Sequence, residues 1–164
     1  MAGARVLGID PGLVGTGWAL VEPGPGRAVV AETGVIVTTA DMPLDVRIHQ
    51  IFDAVTDVLA KHAPSLVALE DLYMEYKFPR TALLMAHARG VICLAARQRE
   101  VTVMALAPAE VKRTIAAHGQ ASKAQIQLGV QRLLRLAVAP RPSHVADALA
   151  LALTGLSRLG GRLA

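Results

Sequence analysis

The sequence predicts an α/β fold: a five-stranded mixed sheet flanked by helices, with three antiparallel strands followed by strands reached through crossovers. Three observations carry this expectation. The first 38 residues contain three apolar runs joined by short connections that include glycine, the pattern of an antiparallel meander. Two later apolar runs, 66–69 and 101–105, each follow a segment of helical periodicity, which is the order strand, crossover helix, parallel strand. Beyond them only helix signals remain.

Taken in order, residues 4–9 form the first strand, and Asp10-Pro11-Gly12 stops it with ordinary turn chemistry. Residues 13–22 form the second strand, Pro23-Gly24-Pro25-Gly26 is a tight connection, and 27–38 the third. Asp41 and Pro43 mark a helix start, after which Ile48, Ile51, Phe52, Val55, Val58 and Leu59 recur at helical spacing and define a sheet-facing stripe. Lys61 and His62 fall in its last turn, where cations suit the helix dipole, and Pro64 ends it. Leu66–Leu69 is the fourth strand and runs directly into Glu70. A helix over 80–99 carries small residues at Ala86, Ala88, Gly90, Ala95 and Ala96, which allow close approach of another helix or subunit. After the fifth strand, Pro108 opens a short helix that Gly119 terminates, and Ser122 with Gln125 forms a capping box for the next. Pro142 keeps the chain extended, Ser143 is the expected N-cap of a last helix that is apolar nearly all round and therefore buried, and Gly160-Gly161 ends it. No repeat or linker divides the chain, so residues 1–164 are expected to form a single domain.

The totals narrow the class. No run approaches about 20 uninterrupted apolar residues, so no membrane span is expected. The N-terminus enters a strand without a signal-peptide pattern, and the single cysteine, Cys93, excludes an internal disulfide. These features point to a cytoplasmic protein with a buried structural thiol. The net charge of +4 conceals an asymmetry: residues 1–70 hold four Lys/Arg against eight Asp/Glu, and residues 71–164 hold thirteen against five. A basic half suits a polyanionic partner, nucleic acid above all, although scattered surface arginines would give the same count.

Three acidic residues adjoin apolar segments: Asp10 and Glu70 at strand ends, and Asp147 in the apolar last helix, with His144 one turn before it on the same face. Each has an ordinary structural explanation, as a turn aspartate, a solvated strand end, a dipole-favoured carboxylate and a satisfied histidine. Together they are a set of hard oxygen donors with one imidazole, suited to Mg²⁺ or Mn²⁺. Two such ions about 3.5–4 Å apart activate water and stabilise the leaving oxygen in phosphodiester cleavage. Three of the five aromatic residues fall within 73–78, where Tyr73 and its neighbours interleave with Lys77 and, just beyond, Arg80. That segment suits stacking on bases and pairing with phosphates, or else a small satellite core. Lys112 and Lys123 stand near two helix starts, where backbone N–H groups and lysines together favour phosphate.

The stretches Gly8-Ile9-Asp10-Pro11-Gly12, Thr16-Gly17-Trp18, Leu69-Glu70, Ala88-Arg89-Gly90, Val111-Lys112, Ser122-Lys123 and His144 through Asp147-Ala148-Leu149-Ala150 resemble, in order and spacing, the RuvC family of Holliday-junction resolvases. The resemblance implies a ribonuclease-H-like fold, a homodimer, metal-dependent paired nicking of four-way junction DNA in recombination and repair, and work with the branch-migration proteins RuvA and RuvB. It implies that Asp10, Glu70 and Asp147 are catalytic metal ligands and that His144 occupies the fourth ligand position, where many members carry Asp. Imidazole there favours Mn²⁺ over Mg²⁺, or else serves as a proton shuttle. It also implies that Tyr73 stacks on a base at the junction centre, that Lys112 and Lys123 contact the DNA backbone, and that Lys77 and Arg80 are further DNA contacts. The alternatives are another ribonuclease-H-like nuclease, or an actin-like or sugar-kinase phosphate-binding module. The latter requires two domains closing over a nucleotide, and the chain has length for one.

Overall fold

A computed structural model of the chain describes residues 3–72 and 79–164. The elements are β1 (Val6–Asp10), β2 (Gly15–Pro23), β3 (Ala28–Val37), α1 (Leu44–His62), β4 (Leu66–Glu70), α2 (Pro79–Gln98), β5 (Thr102–Leu106), α3 (Pro108–Ala116), α4 (Lys123–Leu134) and α5 (Ser143–Arg158). The sheet order is β3-β2-β1-β4-β5. The β1–β2 and β2–β3 pairs are antiparallel, and β1–β4 and β4–β5 are parallel. The mixed sheet and its pairing are those the sequence predicts.

β1 is central, so both its faces are covered, and its side chains divide by the period of two. Leu7 and Ile9, with Leu20, Val67 and Leu69 from the neighbouring strands, join the core beneath α1 and α2. Val6, with Ala19, Val21, Leu66 and Ala68, joins the core formed with α3, α4 and α5. The same alternation carries Asp10 onto the α5 face after Val6 and Gly8, and Glu70 onto that face after Leu66 and Ala68.

α5 lies on the sheet unusually closely, and glycines make this possible. A Cβ at Gly8 would stand 2.1 Å from the Ala148 carbonyl oxygen, and one at Gly17 would stand 2.2 Å from that of His144. Both obstacles are backbone atoms, which no rotamer change removes.

Four details depart from the sequence expectations. α3 ends at Ala116, where Ala117 rather than Gly119 takes the left-handed capping position. Ser143 is the first residue of α5, not its cap: Pro142 takes that position and no side chain caps the helix. Ala88, Ala95 and Ala96 are fully buried in the chain's own core, so close approach there serves α2 against its own sheet and α1, and only Ala86 and Gly90 of that small-residue set are exposed. Cys93 is half-buried and packs at the margin of the core beneath α1 and α2. Among the described residues, no helix is long and apolar enough to cross a membrane.

Candidate active site

Asp10 and Glu70 end two adjacent parallel strands, one step beyond the Ile9–Leu69 register pair, and both face α5. The first turn of α5 delivers His144 and Asp147 to the same rim. His144 donates from Nδ1 to Asp10 Oδ2 at 3.0 Å. Asp147 Oδ2 lies 3.5 Å from the ammonium of Lys123, the first residue of α4. The predicted capping box fixes that helix start: Ser122 Oγ accepts from the Gln125 backbone N–H at 3.2 Å, and Gln125 Oε1 accepts from that of Ser122 at 2.8 Å. Elements far apart in sequence thus bring Asp10, Glu70, His144 and Asp147 to one place.

A cleft lined by Asp10, Glu70 and Asp147 has Lys112 and Lys123 on its wall. It continues into a second groove on the other flank, where Arg80 and Met85 stand near His144. Lys112, Lys123 and Arg80 therefore reach the site, while Tyr73 and Lys77 lie outside the described residues. Two supporting contacts have no counterpart in sequence periodicity. Thr16 Oγ1 donates to the Gly12 carbonyl at 2.6 Å and closes the turn after Asp10. Arg89 donates from Nε to the Glu70 carbonyl at 3.3 Å and stands 3.8 Å from Asp71, bracing the end of β4. Only their places within motif stretches could have drawn attention to them.

The electrostatics follow from crowding acids at a partly buried rim. Burial raises the proton affinity of Asp10, and the nearby Asp147 charge adds to this, while the His144 hydrogen bond opposes it. Burial, then the charges of Asp10 and Asp147, push Glu70 up to about 7, against the opposing pull of Lys112 and Lys123. Among the described residues, no three His, Cys, Asp or Glu side chains are gathered into a ready-made metal shell. Asp147 is turned toward Lys123, and Asp10 toward His144. The donor set nonetheless fits a hard divalent cation, because it is rich in carboxylate oxygen and its mutual repulsion is relieved by positive charge.

This repulsion has a measurable consequence. A carboxyl held near 7 in the fold and at an ordinary 4.5 when unfolded binds its proton more tightly in the native state. Below pH 4.5 both states are protonated and stability is unaffected. Between pH 4.5 and 7 the unfolded chain gives up this proton while the folded chain keeps it, so stability falls across that window, and above 7 the penalty is complete. With a chelator present, Glu70→Gln is expected to melt several degrees above the unaltered chain at pH 8 and level with it at pH 4. Equal melting temperatures at both pH values would contradict a strained Glu70.

A family model described as "Crossover junction endodeoxyribonuclease RuvC" matches residues 6–155. The crossover junction endodeoxyribonuclease RuvC of Rhodopirellula baltica is 45% identical over 150 residues, covering 92% of this chain and 84% of that protein. The structure of Thermus thermophilus RuvC in complex with Holliday junction substrate superposes with a TM-score of 0.87 at 37% identity, covering 96% of each chain. The yeast mitochondrial Holliday junction resolvase matches with a TM-score of 0.61 at 12% identity, covering 92% of this chain and 78% of that one, a likeness of fold alone. The fold is ribonuclease-H-like, as the sequence resemblance implies.

Proposed function

The chain belongs to the RuvC family of crossover junction endodeoxyribonucleases, and we propose that Asp10, Glu70 and Asp147 are the ligands with which it resolves four-way (Holliday) DNA junctions by metal-dependent phosphodiester hydrolysis. The observation that carries this assignment is the meeting of those acids, from β1, β4 and α5, in one cleft walled by Lys112 and Lys123. Neither a nucleotide-binding module nor an unrelated nuclease is favoured by any feature of the site.

When bound, divalent ions, Mg²⁺ or Mn²⁺, supply Lewis-acid activation of water and neutralise charge on the departing oxygen. The chain's own residues do the rest. Asp10, Glu70 and Asp147 would hold the ions, and their partial burial would strengthen each interaction. His144, with Nδ1 committed to Asp10, has Nε2 left to take or give a proton beside the scissile phosphate. Acting as a ligand instead, the ring would have to leave Asp10. Lys112, Lys123 and Arg80 grip the backbone and carry little sequence information. Tyr73 and Lys77 complete the DNA contacts, with Tyr73 stacking on a base at the junction centre. Paired nicks in opposed strands require two sites. With one such acid cluster among the described residues, the chain works in this reading as a homodimer, with RuvA and RuvB as its partners in branch migration.

Cleavage of a movable synthetic junction with each divalent ion in turn tests this reading. Paired cuts in opposed strands are expected, together with none when a chelator is present. Replacing the imidazole by carboxylate in His144→Asp is expected to move the ratio of Mn²⁺- to Mg²⁺-supported rates toward Mg²⁺. An unchanged ratio would leave His144 as a proton carrier only, and cutting without metal would remove the ligand assignment altogether.

A further inference from the structure

Arg47 heads the buried stripe of α1, in line with Ile51, Val55, Leu59 and His62, where an apolar side chain would be expected. It is only 8% exposed. Its Nε donates to Thr38 Oγ1 at 3.0 Å. Thr38, itself buried, donates its hydroxyl to the Leu13 carbonyl and its backbone N–H to that of Val14 at 3.1 Å. The hydroxyl proton is thus committed to Leu13, so its lone pairs face Arg47 and fix the orientation of the guanidinium. Among the described residues, the guanidinium makes no other hydrogen bond and no ion pair. The carboxylate that feels its charge, Asp41, is fully exposed, and its lowered proton affinity comes first from the Thr39 hydroxyl.

The stem and Nε of Arg47 are enclosed, but its terminal nitrogens are not sealed from solvent, so the unpaired edge of the fork is open to an anion that enters the groove. Arg47 lines the groove that opens onto Asp10, Glu70 and His144, on the flank that also carries Arg80. Lys112 stands on the other wall of the site. A strand crossing the acids would therefore meet positive charge on both sides of its scissile bond. Guanidinium presents a planar fork that matches phosphate oxygens in pairs.

We infer that Arg47 is a phosphate-binding residue: oriented by Thr38, it holds one backbone phosphate of the cleaved strand on the flank of the acid cluster remote from Lys112. This inference rests on the nuclease reading above. It adds a second fixed point for the strand, so that the scissile phosphate is held from both sides.

The test is binding to a synthetic four-way junction under chelator, with phosphates around the nick site replaced one at a time by uncharged methylphosphonate. Arg47→Met is expected to weaken binding by about tenfold and to lower the slope of log affinity against log salt by about 0.9, the loss of one phosphate contact. Arg47→Lys retains the charge and is expected to restore the slope. At one position, methylphosphonate is expected to cost the unaltered chain about tenfold and Arg47→Met nothing. A purely structural arginine would change the melting temperature but neither the slope nor the phosphate profile, and that result overturns the inference. Should Arg47→Met fail to fold, Thr38→Val leaves the charge in place without its orienting hydroxyl. It is expected to flatten the profile at the same phosphate, and an unchanged profile counts against the assignment. If the unaltered chain does not prefer the junction to duplex, the nuclease reading itself falls. If it does and Arg47 is silent, only this inference falls.

Discussion

Asp10→Asn is expected to lower junction cleavage by about 10³-fold or more while leaving junction binding and folding intact. Asparagine preserves the shape of the side chain and can still accept from the imidazole N–H of His144, so the local hydrogen bonding survives. What disappears is the negative charge that pairs with His144 and interacts with the charges of Glu70 and Asp147. Burial and the Asp147 charge already strain that carboxylate. Its neutral isostere should therefore melt at the same temperature as the unaltered chain or a few degrees above it in the absence of metal. Rate, affinity for the junction under chelator and melting temperature must be measured together. A collapse of all three would indicate misfolding, and full cleavage with binding intact would show that Asp10 holds no essential ion.

Asp10 and Glu70 were legible in sequence because both follow buried strands whose crossover makes them parallel, and parallel neighbours end on the same rim. His144 and Asp147 were legible as a pair because their three-residue spacing puts them on one helix face. What the sequence could not supply was the distance between that helix and the strands. Glycine within a strand pattern is equally consistent with a bulge, a bend or a close approach, and only the folded chain shows that Gly8 and Gly17 lie under the backbone of α5. Arg47 escaped notice for the opposite reason. Amphipathic periodicity identifies apolar positions, and an arginine at the head of a stripe reads as its solvated end until its burial is seen. The alanines of α2 illustrate a further ambiguity, since small side chains permit close packing without saying against what. Three of them pack inward.

Gly8→Ala tests whether the close seating of α5 holds the site together, and it is expected to destabilise the chain by about 4 kcal/mol or more, lowering the melting temperature by about 10 °C. The added Cβ would lie 2.1 Å from the Ala148 carbonyl oxygen and 2.6 Å from the Ala152 backbone nitrogen. Neither can rotate away, so the helix must lift off the sheet. Lifting it opens the core formed around Ala148, Leu149 and Ala152 and draws His144 and Asp147 away from Asp10. Stability and cleavage should therefore fail together, in contrast to Asp10→Asn, where cleavage fails alone. Trimming the neighbouring side chain in an added Ala152→Gly should not rescue the protein, because backbone atoms make the closest contacts. Gly90→Ala provides the control: it lies mid-helix in α2, with nothing within 4 Å of the new methyl. That substitution should be neutral or stabilising by about 0.5–1 kcal/mol, through the lower conformational entropy of the unfolded chain. If Gly8→Ala melted level with Gly90→Ala and still cut junctions, α5 would not lie against β1 as described, and the convergence of the acids would need another cause.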